Sequence, residues 1–303
     1  MNSTGGRAPG SFAQMARSGS RSCRAATPAT PATPATPATS IKRRIVTFDV
    51  DGTLVRSVGS DANKLHKEAF ASGLAVLGID DPRGIDVIEH HGSTDGLILV
   101  RTAHYHGLPP EVALEKLPEM QEAMVKYFHN HRERAAVGIE VLPGVESLLS
   151  ALSELDDVYV GLCTGNLEEI AWMKMEALGL VRFFDEPLFG GFGNMYCSGE
   201  LDVDKSYLDR AKLIEIAAQR VSASTGQDVG SFRCVHVGDA PHDMNAAIEA
   251  GVCALGTLTG IFNEQDLRRR APSQANVRVG HPPPLRIVDN LSVDGVLDTI
   301  LSF

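Results

Sequence analysis

Three short polar stretches in this sequence each follow an apolar run, and their residue types suit one kind of reaction. Asp49-Val50-Asp51-Gly52-Thr53 follows 45–48, Thr164-Gly165-Asn166 follows 158–163, and Gly238-Asp239-Ala240-Pro241-His242-Asp243 follows 233–237. Moving a phosphoryl group needs an in-line nucleophile, neutralisation of charge and a proton for the leaving oxygen. Asp49 can attack phosphorus through its carboxylate and form an aspartyl-phosphate. Asp51, two residues on, can protonate the leaving oxygen and then activate the water that hydrolyses the intermediate. Gly52 lets the chain turn sharply and present amides to phosphate oxygens. Thr164 brings a hydroxyl to a phosphoryl oxygen, with the main-chain amides of Gly165 and Asn166 beside it. Asp239 and Asp243, four residues apart at the start of a helix, join Asp49 in a hard, oxygen-rich set suited to Mg²⁺. Singly, each stretch has a plainer reading: a solvated turn for Asp49 and Asp51, a helix N-cap for Thr164, a helix-start preference for Asp243. Their joint occurrence at strand ends favours chemistry.

Strands must carry these stretches. Residues 45–48 form a short apolar run bounded by a turn, the pattern of a buried strand. From 57 to 138 the chain reads as helical, with long patterns at 65–77 and 111–134 and a break at 107–110. Strand and helix then alternate: a helix at 143–155, a strand at 158–163, a helix at 167–178 closed by Gly179, and a strand at 188–192. A helix at 207–221, a strand at 233–237, a helix at 242–250 ended by Gly251, a strand at 252–255, and a last strand and helix at 287–288 and 293–301 follow. Repeated βα units imply a parallel sheet covered on both faces. The expected fold is α/β, a Rossmann-like doubly wound core of 44–56 and 139–303 with an inserted α-helical cap of 57–138 as a separate lobe.

Composition narrows the function further. The chain has 303 residues, enough to bury a full core. Its five cysteines, Cys23, Cys163, Cys197, Cys234 and Cys253, are odd in number and form no CxxC pair, which speaks against a disulfide framework and a zinc site. No apolar run approaches the length of a membrane span. Residues 1–48 hold seven bases and no acid, leaving the remainder with 21 bases against 38 acids and a formal charge of −17. So acidic a body does not suit nucleic-acid binding. Residues 1–43, rich in Ser, Arg and Gly and then in a Pro-Ala-Thr repeat, cannot build a core. They match either an organellar transit peptide, for a chloroplast or a mitochondrion, or a plain tail of a cytoplasmic protein.

The motifs DVDGT, LCTGN and GDAPHD, in that order at strand ends, resemble the haloacid dehalogenase-like hydrolase superfamily, in its phosphoglycolate-phosphatase-like branch with a helical cap. The resemblance spans 44–303. It implies a Mg²⁺-dependent phosphatase acting on a small phosphorylated metabolite, phosphoglycolate-like or a sugar phosphate, as a monomer or homodimer. It adds the Asp51 main-chain carbonyl to the metal ligands, alongside Asp49, Asp239 and Asp243. A phosphomutase would share Asp49 and Asp51; a carbon–halogen hydrolase would need neither Asp51 nor the metal-binding acids. A non-catalytic binding protein would be expected to have lost one of the acids. The family also places a base, usually lysine, on the helix before the Gly238-Asp239 strand. Here Lys205, Arg210 and Lys212 compete. Arg210 shares a helical face with Leu213, Ile214, Ala217 and Val221, whereas Lys212 shares one with Glu215 and Gln219, so phase favours Arg210. Gly92-Ser93-Thr94-Asp95 resembles the GxTD loop of capped members. Thr94 could reach substrate, or Ser93 or Thr94 could simply cap the next helix.

Overall fold

The structure, a computed structural model, describes residues 43–270 and 283–303. The expectation for 1–43 therefore lies, but for Arg43, outside the described residues. The apolar run Arg44–Phe48 forms the first strand, β1, with its last four residues buried. After it come a short strand β2 (Val55–Ser57) and three helices, α1 (Lys64–Ala75), α2 (Asp95–Tyr105) and α3 (Pro110–Asn130). The chain returns as β3 (Ile139–Val141), which pairs antiparallel with β2. The alternating part follows: α4 (Val145–Ser153), β4 (Val158–Thr164), α5 (Glu168–Ala177), β5 (Gly190–Phe192), α6 (Ser206–Thr225), β6 (Arg233–Gly238) and α7 (Pro241–Glu249). It ends with β7 (Cys253–Thr257), α8 (Glu264–Leu267), β8 (Leu285–Val288) and α9 (Val296–Leu301).

Among the described residues six strands make one sheet in the order β5-β4-β1-β6-β7-β8, and every neighbouring pair is parallel. The expected α/β class with a doubly wound sheet is what the chain adopts. Helices cover both faces because β1 alternates. Val46 and Phe48 pack with Leu148, Leu149 and Leu152 of α4, Met175 of α5 and Ile300 of α9. Ile45 faces the other way, towards Ala218 and Val221 of α6. The strand order reverses at β1: β4 and β5 lie on one side of it, β6, β7 and β8 on the other. Parallel sheets place their sites at the carboxyl ends of the strands flanking such a reversal. Phe48 pairs in register with Leu162 of β4 and Val237 of β6, so the residues just beyond these three strands meet.

Two features differ from the sequence pattern. Helix α2 gave no signal because Asp95 to Ala103 are all buried, so the helix has no apolar stripe to read. The β2–β3 ribbon has three residues a strand, too few for an alternation to show. The helices it frames share an apolar cluster of Phe70, Leu74, Leu99, Met120, Met124 and Phe128, which continues into Leu167 and Ile170 at the start of α5.

Helix α6 lies close against β5. A Cβ at Gly191 would collide with the main-chain carbonyl of Leu213. Gly191→Ala should therefore force α6 away from the sheet and destabilise the protein by about 1–3 kcal/mol, read from urea unfolding. An unchanged urea midpoint would show that this contact is not tight.

Candidate active site

The carboxyl ends of β1, β4 and β6 bring the three polar stretches together. Asp49 follows β1 directly, is 5% exposed, and ties the strand to β6 through its N–H to the Val237 carbonyl at 2.9 Å. Asp239 follows β6, and Asp243 lies in the first turn of α7. Oxygens of Asp49, Asp239 and Asp243 all lie within 4.8 Å of one another. Gly52, at φ +97°, makes the turn after Asp51, and a side chain there would collide with the Asp239 carboxylate. Its N–H donates to the Val55 carbonyl at 2.7 Å, so it serves the turn, and its carbonyl accepts from Thr259 Oγ1.

Arg210 enters this cluster from α6. Its Nη1 donates to Asp49 Oδ1 at 3.0 Å and to Asp243 Oδ1 at 2.6 Å, and all three side chains are buried. Of the three bases weighed for this position, Arg210 meets the acids. Lys212 pairs with Glu215, and Lys205 with Glu200 and Asp202. Asp243 is held on its other sides as well. The Ala240 N–H donates to its Oδ2 at 3.0 Å, and His236 Nε2 lies 3.3 Å from its Oδ1. His236 is oriented in turn by Thr47, whose Oγ1 lies 3.1 Å from Nδ1.

Electrostatics divide the acids. Burial pushes the Asp49 carboxyl up, and Asp243 and Asp51 add to this, while Arg210 opposes it. Burial raises Asp239 well above the usual carboxylate range, with Asp243 and Asp49 reinforcing it. Burial acts on Asp243 too, but Arg210, His236 and the Ala240 amide outweigh it and hold the group down at about 2. For Asp51 burial is again offset, chiefly by the Lys174 ammonium and then by His66, and the carboxyl is lowered. Four carboxylates thus face two buried side-chain cations, Arg210 and Lys174, and the excess of two negative charges matches one divalent cation. The donors are hard oxygens, and Mg²⁺ fits them. Asp239 and Asp49 keep oxygens available for it, and Asp243, with both oxygens already engaged, is also the anchor of Arg210.

Thr164 is buried at the end of β4 and borders the cavity. Its Oγ1 accepts from the Asn166 side-chain amide at 3.0 Å and main-chain N–H at 3.3 Å, which leaves its own proton for another acceptor. Asn166 also donates to Asp51 Oδ2 at 2.8 Å. Gly165 is where the helical layer docks: its carbonyl accepts the Asp95 N–H at 2.8 Å, and a side chain would strike the Ser93 carbonyl. In that loop Thr94 is fully buried, with Oγ1 accepting the Leu97 N–H as N-cap of α2; Gly92, Ser93 and Asp95 are the loop residues that line the cavity.

This cavity, of about 470 Å³, lies between the sheet edge and the helical layer, which contributes His66, Phe70, Ile85, His91 and Ile98. Four further residues, none of them marked by a motif, support the site, and one of them, His66, lines the cavity. His66 Nε2 sits 3.0 Å from Asp95 Oδ2, which also accepts the Leu167 N–H at 3.1 Å. Arg101 donates to Ser93 Oγ and Ser206 Oγ, both at 2.9 Å, and fastens the loop to α6. His236 and Lys174 are the others. Of these, Lys174 left a trace in the sequence, because it falls on the apolar face of its helix with Ile170, Ala171 and Met175.

The fold is an α/β parallel sheet whose carboxyl edge gathers the carboxylates of Asp49, Asp51, Asp239 and Asp243 around one cavity. The family profile of haloacid dehalogenase-like hydrolases matches residues 44–251, and the chain belongs to that family. Among curated proteins it is similar to a phosphoglycolate phosphatase of Agrobacterium fabrum, 25% identical over 71% of this chain and 81% of the relative. Another, from Rhodospirillum rubrum, is 26% identical over 69% and 77%. In fold it is similar to a hydrolase from Pseudomonas syringae, with a TM-score of 0.53 and 21% identity over 85% of this chain and 99% of that one. CbbY from Rhodobacter sphaeroides, solved with phosphate, gives 0.51 and 17% over 86% and 100%.

Removing the Arg210 charge should leave Asp49 and Asp243 uncompensated. Arg210→Met is expected to lower kcat by about 10²–10³-fold, and Arg210→Lys by less, while Lys205→Met and Lys212→Met stay within about 2-fold. Steady-state phosphate release measures all four. A full effect at Lys212 or Lys205 would move the role away from Arg210.

Proposed function

We propose that this phosphatase is magnesium-dependent and hydrolyses a small organic phosphate monoester through an aspartyl-phosphate on Asp49. The observation that carries this reading is the meeting of Asp49, Asp239 and Asp243 at one edge of the sheet, with Arg210 bridging Asp49 and Asp243 and with Asp51 and Thr164 lining the same cavity. An Asp49 oxygen forms a bond to phosphorus as the ester P–O bond breaks. Lys174 favours the Asp51 carboxylate in the free site, and the negative charge of a bound phosphate opposes this, so that Asp51 takes up a proton in the complex and gives it to the departing alkoxide, which leaves as the alcohol. Arg210 and the Thr164 hydroxyl stabilise the charge spread over the phosphoryl oxygens. Water then attacks the phosphorus of the aspartyl-phosphate and loses its proton to the Asp51 carboxylate. The P–O bond to Asp49 breaks, and phosphate and the Asp49 carboxylate are restored. Asp49, Asp239, the Asp51 carbonyl and Asp243, directly or through water, would hold Mg²⁺, which supplies charge neutralisation at the phosphoryl oxygens.

The cavity volume suits a small metabolite. The curated relatives, phosphoglycolate phosphatases, support the alkoxide of a small hydroxy compound as leaving group. Three results test the reading. Asp49→Asn should lower phosphate release by about 10⁴-fold or more. Borohydride added during turnover should convert Asp49 to homoserine, detected by mass spectrometry. EDTA should abolish activity and Mg²⁺ restore it. Retained turnover in Asp49→Asn, or full activity after exhaustive chelation, would overturn the corresponding part. Isomerisation of a sugar phosphate that required a bisphosphate activator and released no net phosphate would instead mark a phosphomutase.

A further inference from the structure

Lys174 lies on α5, 2% exposed, among the buried residues Ile170, Ala171 and Met175. An ammonium group is unfavourable in such a place unless its donors are all paired. Here they are. Nζ donates to Asp51 Oδ1 at 3.0 Å, to Asp51 Oδ2 at 2.8 Å and to Asn166 Oδ1 at 2.8 Å. Asn166 closes the ring, since its Nδ2 donates to Asp51 Oδ2 at 2.8 Å and to Thr164 Oγ1 at 3.0 Å. With its three N–H donors used, Lys174 has none left for a phosphoryl oxygen, and it does not border the cavity. Asp51 does border it, with 31% of its side chain exposed.

We propose that Lys174 is a positioning residue that, with Asn166, locks the Asp51 carboxyl in the one orientation that faces the leaving oxygen. The proposal rests on the reading of Asp51 as the proton-transfer residue. The geometry is specific to that task. Lys174 spans both Asp51 oxygens from the α5 side, so the carboxyl plane cannot turn without breaking two charge-assisted hydrogen bonds. The same Asn166 occupies the acceptor positions of Thr164 Oγ1 and thereby aims that hydroxyl outward.

The test separates positioning from mere structural support by the leaving group. An alkoxide must be protonated as it departs; p-nitrophenolate need not be. The parameter kcat/KM reports formation of the aspartyl-phosphate and excludes its later hydrolysis. Lys174→Gln should lower kcat/KM for glycerol 2-phosphate about 10²-fold and that for p-nitrophenyl phosphate by less than about 3-fold, and Asp51→Asn should lower the glycerol 2-phosphate value further still. The double variant should lose no more than Asp51→Asn alone, because both changes act through one carboxyl. Equal losses on the two esters, a multiplicative loss in the double variant, or unchanged kinetics would overturn the proposal. If Lys174→Gln fails to fold, Lys174→Met, which keeps the packing of the stem and removes the same donors, is measured on the same two esters against the same criteria. Turnover of glycerol 2-phosphate retained by Asp51→Asn would refute the role of Asp51 itself. Loss in Asp51→Asn without selective loss in Lys174→Gln would refute only the role of Lys174.

Discussion

The guanidinium of Arg210, buried between Asp49 and Asp243, is the contact on which the rest of the site depends. Carboxylates this close and this dry repel one another and lose their hydration, and each would take up a proton if left uncompensated. Arg210 prevents this on one side of the cluster. Because a guanidinium stays charged and has several donors, it bridges two acids at once. Asp243 must then be rigid to hold it, and the Ala240 amide and His236 supply that rigidity. A second compensation is still required, since the remaining acids outnumber the cations around them. That deficit is the physical argument for a divalent cation, and it stands on the charges of this chain.

The helical layer is fastened over the site by polar groups that sit close to the chemistry. Asp95 reaches both the Gly165 carbonyl and the Leu167 amide, and Arg101 joins Ser93 to Ser206. Glycine at 165 allows the loop to approach the end of β4 without a steric barrier. The layer also shares an apolar cluster with α5, the helix that carries Lys174. A movement of the layer against the sheet would therefore strain the elements that hold Asp51 and Thr164.

Much of this was readable from the residues because it depends on local rules. The buried strand before Asp49 and the βα alternation after 143 follow from apolar periodicity and from glycines that close helices. The partnership of three motifs follows from each standing at a strand end. Helical phase singled out Arg210 because a charged residue in line with Leu213, Ile214 and Ala217 must point at the sheet. Thr94 stood between two roles for the same kind of reason: a loop threonine before a helix has a capping geometry and a ligand geometry that sequence alone does not separate.

What the sequence by itself determined was the class of fold and the residues carrying charge at its carboxyl edge, since period, turn chemistry and residue type act over a few neighbours. Only the tertiary structure decided who meets whom. Lys174 finds Asp51 across 123 positions of sequence, and His66 meets Asp95 across 29. Such pairs are set by how helices pack on a sheet and on one another, and no spacing along the chain encodes them. Their energetic logic is clear only in place: a buried charge must have a partner, and the fold chooses which one lies within reach.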